Sequence, residues 1–127
     1  MPVTTFPEYA RSITDALNLA LATGQSRRVS VQIDWRSMSR GFINGSLLFD
    51  DESELHFREF VDTTLNEPRL MYAYHYQDAN KNLIFRYDNA AHRPAFEQAE
   101  HKHTATGVVV SLAPALDQII DEALKGQ

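Results

Sequence analysis

Residues 69–92, RLMYAYHYQDANKNLIFRYDNAAH, leave the backbone few options. Tyr72, Tyr74 and Tyr76 alternate with Ala73, His75 and Gln77, and further on Leu83, Phe85 and Tyr87 alternate with Ile84, Arg86 and Asp88. Alternation at period two marks strands with two unlike faces. The intervening Asp-Ala-Asn-Lys-Asn is rich in residues that accept turn and left-handed conformations. Pairing the strands so that their aromatic faces coincide sets Tyr76 opposite Phe85 and Tyr74 opposite Tyr87. The same register puts His75 opposite Arg86 on the other face, with Asp88 farther along. A one-residue slip would mix the faces, so the aromatic pattern selects this register. The expected hairpin has one aromatic face and one that carries an imidazole, a guanidinium and a carboxylate.

The flanking chain extends this pattern. Helical spacing of Phe6, Ala10, Ile13, Leu17, Ala20 and Leu21 predicts a helix from about Thr5 to Ala22, with Thr5 as cap, Pro7 in the first turn and Gly24 as stop. Its apolar stripe is expected to cover one side of a sheet rather than a partner. Val29–Arg36 alternates as a half-buried strand, Gly41–Asp50 reads as a second strand with a candidate bulge at Gly45, and Glu54–Asp62 as a third. In the third, Leu55, Phe57 and Val61 share a face with Glu59, while His56, Arg58 and Phe60 share the other. Beyond Asp88 the apolar period is lost. Asn89–Thr106 reads as a long loop with a helical turn near Phe96–Ala99, Gly107–Ser111 as a short sixth strand, and Ser111 as the cap of a final helix reaching about Lys125. The stripe of that helix is Leu116, Ile119, Ile120, Ala123 and Leu124. These elements predict a single α+β domain over residues 1–127: an antiparallel meander sheet of about five strands, with an N-terminal and a C-terminal helix packed on one face.

Composition narrows the chemistry. The absence of cysteine excludes disulfides, a thiolate nucleophile and thiolate-ligated zinc. The N-terminus lacks a basic start followed by an apolar run, and no stretch is apolar for long enough to span a bilayer, so a soluble cytoplasmic protein without a membrane partner is expected. A net charge of −5 argues against broad nonspecific binding of nucleic acid, although it leaves room for a local basic site.

Three side-chain groups compete for a role. His56, Arg58, His75, Arg86 and Asp88 fall on the non-aromatic face by parity, which the helices leave open. Histidine exchanges protons near neutral pH, arginine grips phosphate through paired hydrogen bonds, and a carboxylate orients either one. Together they suit attack of a ribose 2′-hydroxyl on its neighbouring phosphate, a reaction that needs a base, an acid and a cation but no metal. The plain alternative is a solvated sheet face with cross-strand charge pairs. His92 with His101-Lys102-His103 forms a second group, and Asp88 could join it. It reads as a solvent loop, a metal site or a flap completing the first group, although no complete ligand motif is present. Tyr72, Tyr74, Tyr76, Phe85 and Tyr87 form a third group, for which core packing is favoured over stacking on bases. Phosphate-cradling glycine loops, nucleophile elbows and dinucleotide fingerprints are absent.

The series LLFDDESELHFREFVD, YAYHYQDANKNLIFRYDNAAH and EHKHT resembles the TumE-like toxins, small prokaryotic proteins usually encoded beside a helix-turn-helix antitoxin. The likeness is strongest over Leu47–Thr104, and YHYQD, LIFRYDNA and HKHT are its specific blocks. It implies the toxin half of a type II toxin–antitoxin module, neutralised by a cognate helix-turn-helix antitoxin. At matching positions it implies functional roles for Glu59, His75, Asp78, Arg86, Asp88, His92, His101 and His103. The turn departs from the pattern, reading Ala-Asn-Lys-Asn where a glycine is expected.

The resulting expectation is a toxin that cleaves RNA, free or ribosome-bound, without metal or cofactor. His75 serves as acid or base, Arg86 as phosphate clamp and Asp88 as orienting carboxylate, while His92, His101 and His103 supply the second proton-transfer group. Arg58, His56 and Lys102 bind substrate, and Glu59 and Asp78 support. The competing readings are a non-catalytic interaction protein and a metal-dependent nuclease or nucleotidyl transferase built on Asp78, Asp88 and the histidine loop. A homo-oligomer stays open.

Overall fold

A computed structural model describes residues 4–89 and 100–125. The chain opens with helix α1 (Phe6–Ala22). Thr5, in extended backbone, accepts a hydrogen bond from the Glu8 amide at 3.3 Å, and Pro7 occupies the first turn, where no amide donor is needed. The predicted stripe is buried from Phe6 to Ala20, whereas Leu21, at its margin, is exposed. Gly24 ends the helix at φ +75°, a conformation that suits glycine.

Seven strands follow: β1 (Arg28–Trp35), β2 (Arg40–Leu48), β3 (Glu54–Asp62), β4 (Arg69–Gln77), β5 (Leu83–Asp88), β6 (His101–Thr104) and β7 (Gly107–Val110). Helix α2 (Leu116–Lys125) closes the described chain. Among the described residues the strands form one antiparallel meander in chain order. In the central hairpin Tyr74 pairs with Tyr87, His75 with Arg86 and Tyr76 with Phe85, the register that the aromatic alternation selects. The aromatic face of the sheet and the stripes of both helices share one core, in which Tyr74, Tyr76, Leu17 and Ile119 are fully buried.

The α+β meander with two helices is as expected, but the strand count is seven rather than about five. The missed strand is β6, His-Lys-His-Thr, assigned above to a long loop. It carries no apolar alternation, because its inward residues are Lys102 and Thr104 and its outward residues are histidines. Three smaller expectations also change. Pairing runs without interruption through Gly45, so there is no bulge. A Cβ there would lie 2.3 Å from the Ser30 carbonyl oxygen and 2.8 Å from Phe57 Cζ, so glycine permits close approach instead. Ser111 does not cap α2. That helix starts at Leu116, where the Ala115 carbonyl accepts the first helical bonds and the Gln118 side chain accepts from the Ala115 amide at 3.2 Å. Finally, β1 is an edge strand: Val29 and Val31 pack partly against the core, whereas Ile33 and Trp35 are exposed. The turn expected near Phe96–Ala99 lies outside the described residues.

Candidate active site

Sheet register converts sequence parity into rows that cross the strands. One row on the helix-free face runs Ser30–Ser46–His56–His75–Arg86–His103–Val108. The adjacent row runs Gln32–Asn44–Arg58–Ala73–Asp88–His101. Five residues widely separated in sequence, His56, His75, Arg86, Asp88 and His103, therefore converge. Small residues (Ser30, Ser46 and Ala73) line a groove of about 680 Å³ together with His56, Arg58, His75 and Arg86.

The contacts favour exchange over permanence. Arg86 Nε donates to Asp88 Oδ2 at 3.1 Å, and Arg86 Nη1 lies 3.4 Å from His75 Nδ1. His75 Nε2 lies 3.2 Å from Gln77 Oε1. Because Gln77 Oε1 only accepts and Arg86 only donates, neutral His75 carries its proton on Nε2 and turns the Nδ1 lone pair towards Arg86. Partial burial and then the Arg86 charge push His75 below the ordinary histidine pKa, against the opposing Gln77 hydrogen bond, and the neighbouring His56 adds a still smaller lowering. His75 is therefore neutral at neutral pH. His103 Nε2 approaches Asp88 Oδ2 to 3.0 Å without hydrogen-bond alignment, so the contact acts as charge attraction when the ring is protonated. His56 Nε2 lies 3.1 Å from Glu54 Oε2. Asp88 and His101 are buried at one end of the row.

Three sequence-derived candidates fall elsewhere. Lys102 was expected to bind substrate, but the alternation of β6 points it to the helix side. There its ammonium meets Glu122 Oε2 of α2 at 2.6 Å and lies over the Tyr87 ring. Glu59 is also on the helix side and buried. It accepts hydrogen bonds from Tyr74 Oη at 2.5 Å and from Tyr9 Oη. Burial raises the Glu59 pKa more than its tyrosine donors and Arg69 lower it, and burial likewise raises both tyrosines. Arg69 completes this network, donating to Tyr74 Oη at 3.1 Å and to the carbonyls of Ala113 at 2.6 Å and Pro114 at 2.9 Å. Asp78 sits in the hairpin turn, where its Oδ1 accepts from the Asn80 and Asn82 amides, each at 2.9 Å. These bonds hold its pKa low and do the work expected of the missing glycine, with Lys81 at φ +66°. His92 lies outside the described residues. Gln77, Asn44 and the serines of the groove were not singled out from sequence, although strand parity already places Gln77 beside His75.

No group of metal-ligating side chains suited to hold an ion occurs among the described residues. A family model described as toxin TumE matches residues 6–126. Comparison with curated proteins found no match, and comparison with solved structures found none.

Proposed function

The chain belongs to the TumE toxin family, the toxin side of a toxin–antitoxin module with an implied antitoxin partner, and from that premise we propose that it acts by metal-independent cleavage of RNA at the row His56–His75–Arg86–His103. The observation that carries this reading is an imidazole, His75, and a guanidinium, Arg86, lining one open groove, with a second imidazole, His103, beside Arg86 in register and facing the Asp88 carboxylate. Arg86 binds the scissile phosphate. In doing so it leaves His75 Nδ1, whose freed lone pair accepts the 2′-hydroxyl proton as the 2′-oxygen forms its bond to phosphorus. The bond from phosphorus to the 5′-oxygen breaks, and protonated His103 donates to that oxygen. The products are a 2′,3′-cyclic phosphate and a 5′-hydroxyl. Asp88 keeps Arg86 and His103 oriented, and His101, paired with it in register, supports that end of the row. His56 and Arg58 bind flanking phosphates. The acidic net charge counts against free RNA as substrate and is better tolerated with a structured or ribosome-bound RNA target in the cytoplasm, gripped by few specific contacts. The antitoxin in this reading is a helix-turn-helix protein.

The test is growth and total-RNA integrity after induced expression in a bacterium, with His75→Ala and Arg86→Ala at matched protein level. Growth arrest with new RNA fragments that resist chelator and vanish in both variants is the expected result. Arrest with intact RNA would move the chemistry to another target.

A further inference from the structure

Four residues along the strands from the imidazole row, about 13 Å at ~3.3 Å per residue, the open face turns aromatic. Phe42 of β2 pairs with Phe60 of β3, their rings 6.2 Å apart and at 82°. Met71 of β4, beside Phe60, is 53% exposed. Between this patch and the imidazole row stand Asn44 and Arg58, a cross-strand pair. Arg58 is exposed and has neither ion pair nor hydrogen bond among the described residues, whereas the carboxylates of this face are engaged: Asp88 with Arg86, Asp62 with Arg40, Glu54 with His56, and Asp34, which pairs with Phe42, with Arg36. Phe42 and Arg58 line the same groove as His75 and Arg86.

A cross-strand phenylalanine pair adds some stability to any sheet. That accounts for the two rings but not for an unpaired cation and an amide between them and a phosphate-sized site. A single-stranded nucleotide matches the whole set: its base offers a flat apolar face to an aromatic ring, its edge offers partners to an amide, and its phosphate takes a guanidinium. A duplex keeps its bases stacked on one another and leaves the ring nothing to stack on.

We propose that Phe42, held edge-on by Phe60, stacks a nucleobase of single-stranded RNA whose adjoining phosphate is bound by Arg58, a short step along the strand from the bond cleaved at His75 and Arg86. This subsite rests on the ribonuclease reading of the same groove and adds to it a preference for an unpaired base at a fixed distance from the cut.

The probe is a single-stranded 2′-O-methyl oligonucleotide carrying 2-aminopurine, which cannot be cleaved because its 2′-oxygens are blocked, and whose fluorescence falls on stacking. Wild type and Phe42→Tyr bind it with quenching. Phe42→Leu, which keeps apolar volume but loses the π-face, binds about 5- to 100-fold more weakly without quenching, the range expected for a lost base stack. On cleavable RNA the same variant raises KM and leaves kcat nearly unchanged. Arg58→Gln, at an exposed position that folding does not require, weakens binding and lowers the salt slope by about one unit, which keeps the test decisive if Phe42→Leu folds poorly. Unchanged affinity in both variants, with RNA cleavage intact, overturns the subsite and leaves the ribonuclease reading standing. Wild type that neither binds the probe nor cleaves RNA overturns both. Loss of neutralisation by the co-expressed antitoxin in Phe42→Leu, with RNA affinity unchanged, assigns the aromatic pair to protein docking and also overturns the proposal.

Discussion

Strands β3 and β4 carry two polar clusters back to back, one residue apart in sequence. His56, Arg58 and His75 point to the open face; Glu59 and Tyr74 point under the helices. The buried cluster is closed. Glu59 is matched by two tyrosine hydroxyls, and Arg69 by Glu67, Tyr74 and two backbone carbonyls. The open cluster is loosely tied: His75 is held at 3.2 and 3.4 Å, and Arg58 is unpaired among the described residues. Parity alone separates them, and the separation decides what each can do. A saturated network in low dielectric fixes α1 and the β3–β4 loop to the sheet, whereas a loosely held row can trade its internal partners for a substrate.

The largest expected effect tests the open side. If the proposed ribonuclease reading holds, His75→Ala should lower RNA cleavage by roughly 10²- to 10⁴-fold, the range for losing a general base, while a half-exposed site should leave the midpoint of chemical denaturation nearly unchanged. If instead His75→Ala unfolded the protein at full specific activity, the two clusters would have exchanged roles.

Next in size is the mirror experiment. Glu59→Ala leaves the hydroxyl protons of buried Tyr74 and half-buried Tyr9 without their acceptor and weakens the setting of Arg69. It should cost about 2–4 kcal/mol of unfolding free energy, as each unsatisfied buried group costs ~1–3 kcal/mol, with specific activity per folded molecule retained. Denaturant titration beside a cleavage assay separates these outcomes. Loss of cleavage without loss of stability would make Glu59 part of the active machinery. Lys102→Met is a smaller version on the same side. It removes the contact with Glu122 and the cation over Tyr87 but keeps the stem that packs on the sheet. A loss of about 1 kcal/mol with unchanged KM for RNA is expected, and a raised KM would return Lys102 to substrate binding.

How far the sequence reveals this division depends on where periodicity is informative. The hairpin was legible because three tyrosines alternate with residues of opposite character, so His75, Arg86 and Asp88 could be placed on one face without coordinates. The same parity already set Glu59 apart from His56 and Arg58. Membership of a functional list, by contrast, does not specify a face, and Glu59 and Asp78 proved to be spent on the core network and on the turn. Strand β6 was illegible because His-Lys-His-Thr shows no apolar period. Its lysine reaches the core side as a stem with an ion pair, and its histidines face polar neighbours. Only pairing with β5, a long-range fact, makes it a strand and brings His103 to Asp88. The start of α2 was misplaced for a local reason: Ser111 looks like a cap, but its amide donates to the Glu100 carbonyl at 3.2 Å, which ties it to the sheet end instead.

The smallest effect is the most direct comparison, because the two clusters should respond to pH with opposite signs. Burial and Arg86 lower the His75 pKa, so the fold resists a proton that the unfolded chain accepts. Its contribution to stability is complete above the ordinary histidine value of about 6.5 and is lost as pH falls through the depressed folded value. Burial raises the Glu59 pKa, so the fold holds a proton that the unfolded chain releases. That contribution is complete below the ordinary glutamate value of about 4.3 and is lost as pH rises through the elevated folded value. Unfolding free energy measured from about pH 4 to pH 8 should therefore lose its acid-side decline in His75→Gln and its alkaline-side decline in Glu59→Gln. With His75 as the proposed base, the acid limb of kcat/KM for RNA should lie below pH ~6.5 in wild type and persist in Glu59→Gln. Superimposable stability profiles for wild type and both variants would mean that neither group changes its proton affinity on folding, and the electrostatic distinction between the two faces would fall.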